Sequence, residues 1–387
     1  MKILFVTDYY PSPQLPQFCI YIQQQAQALI ELGHTVEVMV PSARSSFSSK
    51  YSRILLAGVN VLYSEYSTLY KGIYCYPVLI KNILWYEKIT DFNQYDIISI
   101  QMFQEDTLRI FLKIAKRHKL KTVIHYHGLS MLYDRPPSFL VGALQRRGDR
   151  VLKRLIRKAD AIVGVSDKVK NKIHSVYPDK PAFTVYNGVD TGFFLPKNRK
   201  EDTVFRIVTV ASLKKIKGNH YLIEAVKLLT LQYPEQEFKL FIIGIGPEEE
   251  HLKELAAASG LQEVICFMGY VSYEEVAQII RSCDVFAMPS YYEALGCAYL
   301  EAMACRLPVI GCRCQGIDEI ITDGVNGVLI EPHNVNQLYE KLSYLYKHPD
   351  IAAGIGQKGC QTVAEHFTWQ ASAKQLLAVY QEITGIN

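Results

Sequence analysis

The strongest constraint on how this chain folds is a pattern that runs twice: a short continuous apolar run, then helical spacing, then another run. In the first half the runs fall at Lys2–Thr7, Thr35–Val40, Asp96–Ile100, Lys121–His125, Asp160–Val165 and Ala182–Tyr186. Continuous runs, unlike alternating ones, mark strands buried on both faces, as in a parallel sheet covered by helices. Helical spacing fills the gaps, as at Ile20–Leu32, closed by Gly33, and at Leu108–His118. A turn-rich, charged seam follows at Asn187–Pro196 and Lys197–Asp202, and then the pattern restarts. The second series has strands at Phe205–Val210, Lys239–Ile243, Val264–Met268, Val285–Met288, Pro308–Gly311 and Gly327–Ile330. Its helices read at Asn219–Tyr233, Pro247–Ala258, Tyr273–Arg281, Cys297–Ala304 and Val335–His348.

The expected class is therefore α/β, with two doubly wound, Rossmann-like domains facing across a cleft at the carboxyl ends of their strands. A length of 387 residues exceeds one comfortable core and agrees with two domains. The reading places a first domain at 1–190, a linker at 191–204 and a second domain at 205–365. Residues 366–387 form a last helix, read as Trp369–Glu382, that crosses back to the first domain. Residues 44–80, rich in Ser and Tyr and without a period, read as a helix or loop insertion.

Composition removes several function classes. No run reaches the roughly 18 apolar residues of a membrane span. The opening Met1–Asp8 reads as a first strand, not as a signal peptide. Nine cysteines in no regular spacing fit reduced thiols in the cytoplasm, and Cys312 and Cys314 make a poor metal pair. The net charge of +4 hides a split. Residues 1–190 carry 25 Lys and Arg against 15 Asp and Glu, and the remainder 17 against 23, so the halves stand at +10 and −6 and suit different partners.

The stretch Ser290–Ala304 carries the chemistry. Glu293 falls in a loop after a buried strand, and Glu301 lies eight residues on, inside the next helix. The amides of Leu295 to Cys297 at that helix start suit an anion held between the two carboxylates. A nicotinamide site fails, because Gly244-Ile-Gly246-Pro-Glu-Glu249 has Glu where a third glycine belongs. No Asp-x-Asp or His-x-x-x-His pair occurs, so no metal and no cofactor are expected. His125 and His127 are read as pointing to opposite sides of a strand, unable to share an ion.

The spacing of Glu293 and Glu301, with Ala302-Met-Ala304 and Leu307-Pro-Val309, resembles the signature of the family 4 glycosyltransferases. These are retaining enzymes of the GT-B fold that use nucleotide sugars. The order of further matches agrees: Lys2–Val6, Leu32–Val36, His127-Gly128, Asn187–Asp190, Lys217-Gly218, Gly244–Pro247, Cys283–Val285, Asp318–Ile320 and Asp323–Gly327. The resemblance implies that Glu293 binds hydroxyls of the donor sugar and that Glu301 accepts from the ribose. Amides at Leu295 and Gly296 would hold the distal phosphate, Lys217 would pair with the diphosphate, and His127 would reach the donor sugar or the reacting centre. The segment at Tyr270-Val271 would line the base, while Gly244 is structural first.

Two positions depart from the family pattern. Ser212 stands where an Arg is usual, so Lys214 or Lys215 would have to supply the second cation. The loop Pro13–Cys19 lacks the usual paired glycines, which reshapes the acceptor pocket. Within residues 144–158, seven Lys and Arg accompany Val151, Leu152, Leu155 and Ile156 at helical spacing. Such a helix suits an anionic membrane surface at the inner face, and with it a glycan or lipid-linked acceptor of the cell envelope; an ordinary solvated helix face is the other reading. No nucleic-acid motif is present. A sugar-nucleotide epimerase of the same fold, or a non-catalytic carbohydrate-binding relative, stays open as an alternative.

Overall fold

The computed structural model describes residues 1–12, 17–44, 51–67, 76–128, 150–196 and 203–386. It divides into two compact units, Met1–Tyr186 with Trp369–Asn387, and Asn187–Thr368.

The first unit is built on one sheet in the order β3-β4-β2-β1-β5-β6-β7-β8. Its middle strands are β1 (Lys2–Val6), β5 (Ile97–Ile100), β6 (Lys121–Tyr126) and β7 (Ala161–Gly164). All are parallel, and Ile3 lies between Val36 of β2 (Thr35–Arg44) and Ile97 of β5. Nearly every residue in these strands is buried, which is why the sequence shows continuous apolar runs in place of alternation. Helices α1 (Ile20–Glu31), α3 (Glu105–His118) and α5 (Asp167–Val176), with α4 over residues 150–156 and β8 (Ala182–Thr184), complete the wound part.

Residues 44–80 depart from the expected helix or loop insertion. The described part is a hairpin, β3 (Tyr51–Leu56) and β4 (Val59–Ser67), followed by the start of α2 (Tyr76–Ile89). Ala57 and Gly58 both take positive φ, 49° and 79°, as a two-residue hairpin turn demands. Strand β4 runs parallel to β2, and β3 closes the sheet as an antiparallel edge. An edge strand has one side in water, so Tyr, Ser and Arg replace the apolar run and hide it from pattern reading.

The last helix, α12 (Trp369–Thr384), belongs to this first unit. Trp369, Ala373, Leu376, Val379 and Tyr380 share a core with Ile3, Phe5, Ile22, Ala26 and Leu29. Tyr380 Oη also donates to Ser99 Oγ of β5 at 2.7 Å.

The second unit holds an all-parallel sheet in the order β11-β10-β9-β12-β13-β14. The strands are β9 (Phe205–Val210), β10 (Phe238–Ile243), β11 (Ile265–Gly269), β12 (Val285–Ala287), β13 (Val309–Cys312) and β14 (Val328–Ile330). Around them run α6 (Asn219–Gln232), α7 (Glu249–Ala258), α8 (Tyr273–Ser282), α9 (Cys297–Ala304) and α10 (Val335–Lys347). Helix α11 (Pro349–His366), which starts on a proline and holds three glycines, is absent from the sequence reading. Pro at a first helical turn in fact favours a start. Gly356 is required for packing, since a Cβ there would lie 2.0 Å from the Arg306 carbonyl oxygen. The seam is not a bare linker: Val189 bridges to Thr368 and Phe194 is fully buried, while residues 197–202 lie outside the described set.

Because α12 completes the first unit's core, Leu376→Ala is expected to cost about 2–5 kcal/mol there. Hydrogen exchange should quicken in β1, β5 and β6 and stay unchanged in β9, β10 and β12. Equal acceleration in both sets would contradict this placement.

Candidate active site

In the second unit the chain leaves β9 toward β10 and β11 on one side, and β12 leads to β13 and β14 on the other. The loops after β9 and β12 therefore diverge and leave a crevice at the strand ends, the place where ligands bind in open α/β sheets. Two hydrogen bonds on one acceptor join these loops. The Ile216 carbonyl oxygen accepts from Tyr291 N at 3.1 Å and from Ser290 Oγ at 3.1 Å. Gly218, at φ 73°, has room for no side chain, since a Cβ would sit 2.2 Å from the Pro289 oxygen. This junction brings Lys217 and Glu293 together as an ion pair through Nζ and Oε2, with side chains only 17 and 12% exposed.

A second clamp holds the loop from below. Gln315 Oε1 accepts from Glu293 N at 2.9 Å, and Gly316 N donates to the Glu293 carbonyl at 3.3 Å. Ala294 N donates to Glu293 Oε1 at 3.2 Å. Gly296, at φ 88°, caps the short helix α9, and Leu295 before it is buried. The amides of Leu295 and Gly296 have no acceptor among the described residues, and they stand at the positive end of the helix. Tyr299, fully buried, donates to the Met288 carbonyl and fixes α9 to the end of β12.

Glu301 lies on the same helix and accepts a hydrogen bond from Tyr273 Oη at 3.2 Å. Burial pushes its carboxyl up to about 7, and the Tyr273 hydrogen bond offsets that only in part. Tyr273 opens α8 behind a Ser272–Glu275 capping box. Its ring stacks on Phe193, with centroids 5.0 Å apart and planes 11° apart, and meets Phe194 edge-on. Cys297, four residues before Glu301, accepts from Asn187 Nδ2 at 3.4 Å, and burial pushes its thiol up to about 12. Tyr273, Gln315 and Asn187 are not among the sequence-derived site residues. The capping box was the one available signal for Tyr273; Gln315 offered none.

The other expected residues are more dispersed. Val271 is half-buried in the turn from β11 to α8. Gly244, at φ 134°, is demanded by packing, because a Cβ would lie 2.0 Å from the Ala211 oxygen. Ser212 is exposed beside it, and so are Lys214 and Lys215. Neither lysine is in an ion pair with Glu293, which Lys217 holds.

His127 belongs to the first unit, just past β6. Its Nε2 hydrogen-bonds Gln101 Oε1 at 2.7 Å, and Gln101 Nε2 donates in turn to Ser99 Oγ at 3.1 Å. Burial lowers His127 to about 3, so the ring is neutral; with Nε2 carrying the proton, Nδ1 is a buried acceptor with no partner among the described residues. The expectation that His125 and His127 point to opposite sides is wrong. Their rings are 6.0 Å apart and nearly parallel, at 16°, because residues two apart on a strand share a face. The loop Pro13–Pro16 and residues 144–149 lie outside the described residues.

The pH dependence of Glu301 follows from its burial. The folded chain keeps this proton up to about pH 7, while the unfolded chain releases it near 4.5. The folded state thus binds more protons in that window, and stability falls as pH rises through it, by up to about 3 kcal/mol. Glu301→Gln is expected to remove that loss and to make the ligand-free protein more stable than the parent at pH 8 but not at pH 4. Urea unfolding at the two pH values checks this, and an unchanged difference would refute it.

Comparison with known proteins accounts for this geometry. The model "Glycosyltransferase Family 4" matches residues 20–193, and "Glycosyl transferases group 1" matches residues 190–362. An uncharacterized glycosyltransferase of Methanocaldococcus jannaschii is 28% identical over 62% of this chain and 64% of the relative. The D-inositol 3-phosphate glycosyltransferase of Kribbella flavida is 25% identical over 94% of this chain and 90% of that one. The crystal structure of HepE from Anabaena in complex with UDP-glucose superposes with a TM-score of 0.72 at 18% identity, covering 99% of this chain and 100% of that one. With both units matched in chain order and with the fold shared, the chain belongs to the family 4 glycosyltransferases, enzymes of the GT-B fold.

Proposed function

We propose that this enzyme moves a sugar from a nucleotide-diphosphate sugar to a cell-envelope glycan or lipid-linked acceptor, with retention and without a metal ion. The observation that carries the reading is the junction at Ile216, which presents Lys217, Glu293 and the unpartnered amides of Leu295 and Gly296 at one strand-end crevice. An ammonium and helix-end amides are the groups a departing diphosphate needs. Glu293, held by Gln315, accepts hydroxyl groups of the donor sugar. Glu301, oriented by Tyr273, accepts the ribose hydroxyls, and the Val271 turn lies one residue before the cap of the Tyr273 helix. His127 serves as a neutral acceptor for a sugar hydroxyl through Nδ1. HepE was solved with UDP-glucose, which supports a nucleotide sugar as the donor class.

Retention by double displacement needs a carboxylate nucleophile. Glu293 is tied to Lys217, so the proposed route is attack on the donor's own face. The bond from the anomeric carbon to phosphate oxygen breaks, and its electron pair leaves with the diphosphate. The acceptor oxygen bonds to that carbon from the same side, and its proton passes to the departing phosphate oxygen. Ser212 adds no positive charge, so Lys217 and the amides carry the diphosphate.

The acceptor reading rests on charge. Residues 1–190 carry a net +10, and Arg150, Arg154, Arg157 and Lys158 are exposed on α4 and the turn after it. Leu155 and Ile156 are buried in the protein, so contact with a membrane face through this segment is electrostatic and not an inserted apolar stripe. No helix among the described residues is long and apolar enough to cross a membrane.

Glu293→Ala is expected to lower kcat/KM at least 100-fold, as loss of a preorganised polar group at the reacting centre does. Full activity in that variant would sink the assignment. A donor at 100 times its Kd should stabilise the parent by about 2.7 kcal/mol in a thermal-shift screen of nucleotide sugars. Incubation without acceptor separates an epimerase, which would still alter the sugar. A covalent sugar–protein adduct in the mass spectrum would overturn the same-face route.

A further inference from the structure

A second cavity lies at the opposite end of the first unit's sheet. It has a volume of about 670 Å³ and is lined from α2, α3, the start of β6 and the segment after α4. Its floor is apolar: Leu79, Leu112 and Leu155 are all buried. Its rim is basic, with Arg109, Lys113, Lys116, Lys119, Lys121 and Lys158 against one carboxylate, Asp160.

The charges on this rim differ in how they are used. Arg109 is bound to Glu105, and Lys121 to Asp160 at 3.1 Å. On the neighbouring face of α3, Arg117 and His118 are both held by Glu87. Lys116, Lys119 and Lys158 are exposed and form no ion pair among the described residues. Cations at a helix end commonly answer the helix dipole, and Lys116 can do so. Lys119 has left the helix at φ 57°, and Lys158 comes from another element. Their convergence over a leucine floor is not explained by the helix end.

The cavity is not the catalytic crevice. Lys121 opens β6, and His127 lies six residues on, about 20 Å away along an extended strand. Chemistry in this fold belongs to the carboxyl ends of the strands, so an occupant here binds without reacting.

We infer that this cavity is a docking site for an anionic phospholipid, its phosphate among Lys116, Lys119 and Lys158 and an acyl segment against Leu79, Leu112 and Leu155. The inference deepens the membrane-facing part of the proposed function and rests on it for the source of the anion. The site holds the first unit at the bilayer surface with the carboxyl ends of its strands directed away from the bound headgroup.

The test uses the full chain and vesicles of equimolar phosphatidylglycerol and phosphatidylcholine, with phosphatidylcholine vesicles as reference. The variant Lys116→Gln/Lys119→Asn/Lys158→Gln keeps a residue tolerant of positive φ at 119. Each lysine near an anionic surface is worth about fivefold in binding, so this variant should bind the mixed vesicles on the order of 100-fold more weakly. A control, Lys227→Gln/Lys358→Gln/Lys374→Gln, makes the same change in net charge at other exposed lysines and should lose less than tenfold. The site is refuted if the parent ignores the mixed vesicles, or if the two variants weaken equally, which would mean diffuse attraction. Displacement of the vesicles by millimolar inorganic phosphate, at constant ionic strength, would make it a free-anion site and overturn the lipid. Transfer to a soluble acceptor should be unchanged in the first variant. If Glu293→Ala is also fully active, the catalytic reading has failed independently of this one.

Discussion

The second unit depends on one carbonyl. Ile216 O receives both Ser290 Oγ and Tyr291 N, and this ties the loop after β9 to the loop after β12 at the point where the sheet's winding reverses. Gly218 permits the approach, and Lys217 and Glu293 are carried into the crevice as neighbours. The pair is largely withdrawn from water, so neither charge can lose its partner cheaply; breaking such a pair costs about 3–5 kcal/mol. A diphosphate that takes Lys217 must therefore arrive with a sugar whose hydroxyls replace the ammonium at Glu293. On the proposed function, coupling of this kind would favour the intact donor over a nucleotide alone, because the donor's hydroxyls would hydrogen-bond the carboxylate that the diphosphate leaves without its ammonium. A single substitution at either residue disturbs both, and only a double-mutant cycle separates them.

The large features of the fold were legible because parallel strands buried on both sides leave continuous apolar runs. Lys2–Val6 and Val285–Ala287 are of this kind. Features that answer to one-sided burial were not. The β3–β4 hairpin lies at a sheet edge, where Tyr51 and Leu55 are exposed and no run can form. Helix α11 was hidden by its glycines, of which Gly356 serves close approach to the Arg306 carbonyl, a tertiary contact with no local trace.

At the site, the spacing of Glu293 and Glu301 was readable because it belongs to one strand–loop–helix unit. The groups that hold these carboxylates come from elsewhere. Gln315 is 22 residues past Glu293, and Tyr273 is 28 before Glu301. Residue types so common carry no signal until the fold brings them close. The histidine pair fails for a different reason: the two-residue period of a strand was applied with the wrong sign, and the rings prove to share one face.

Unsatisfied polar groups do not identify the site by themselves. Among the described residues, Thr209 Oγ1 and both amide atoms of Asn219 are buried without partners, as are the hydroxyl of Tyr10 and the indole nitrogen of Trp369. Such groups cost stability wherever they lie. What separates the crevice from these positions is convergence. The amides of Leu295 and Gly296 and the carboxyl of Glu301 stand on the loop after β12 or on the helix it leads into, Lys217 on the loop after β9 joins them through Glu293, and the loop after β12 is clamped by Ile216 and Gln315. Burial pushes the Glu301 carboxyl up to about 7. A ligand with an anionic centre and hydroxyl groups on either side of it would satisfy the whole set at once, and a sugar joined through a diphosphate to a ribose has that order of groups.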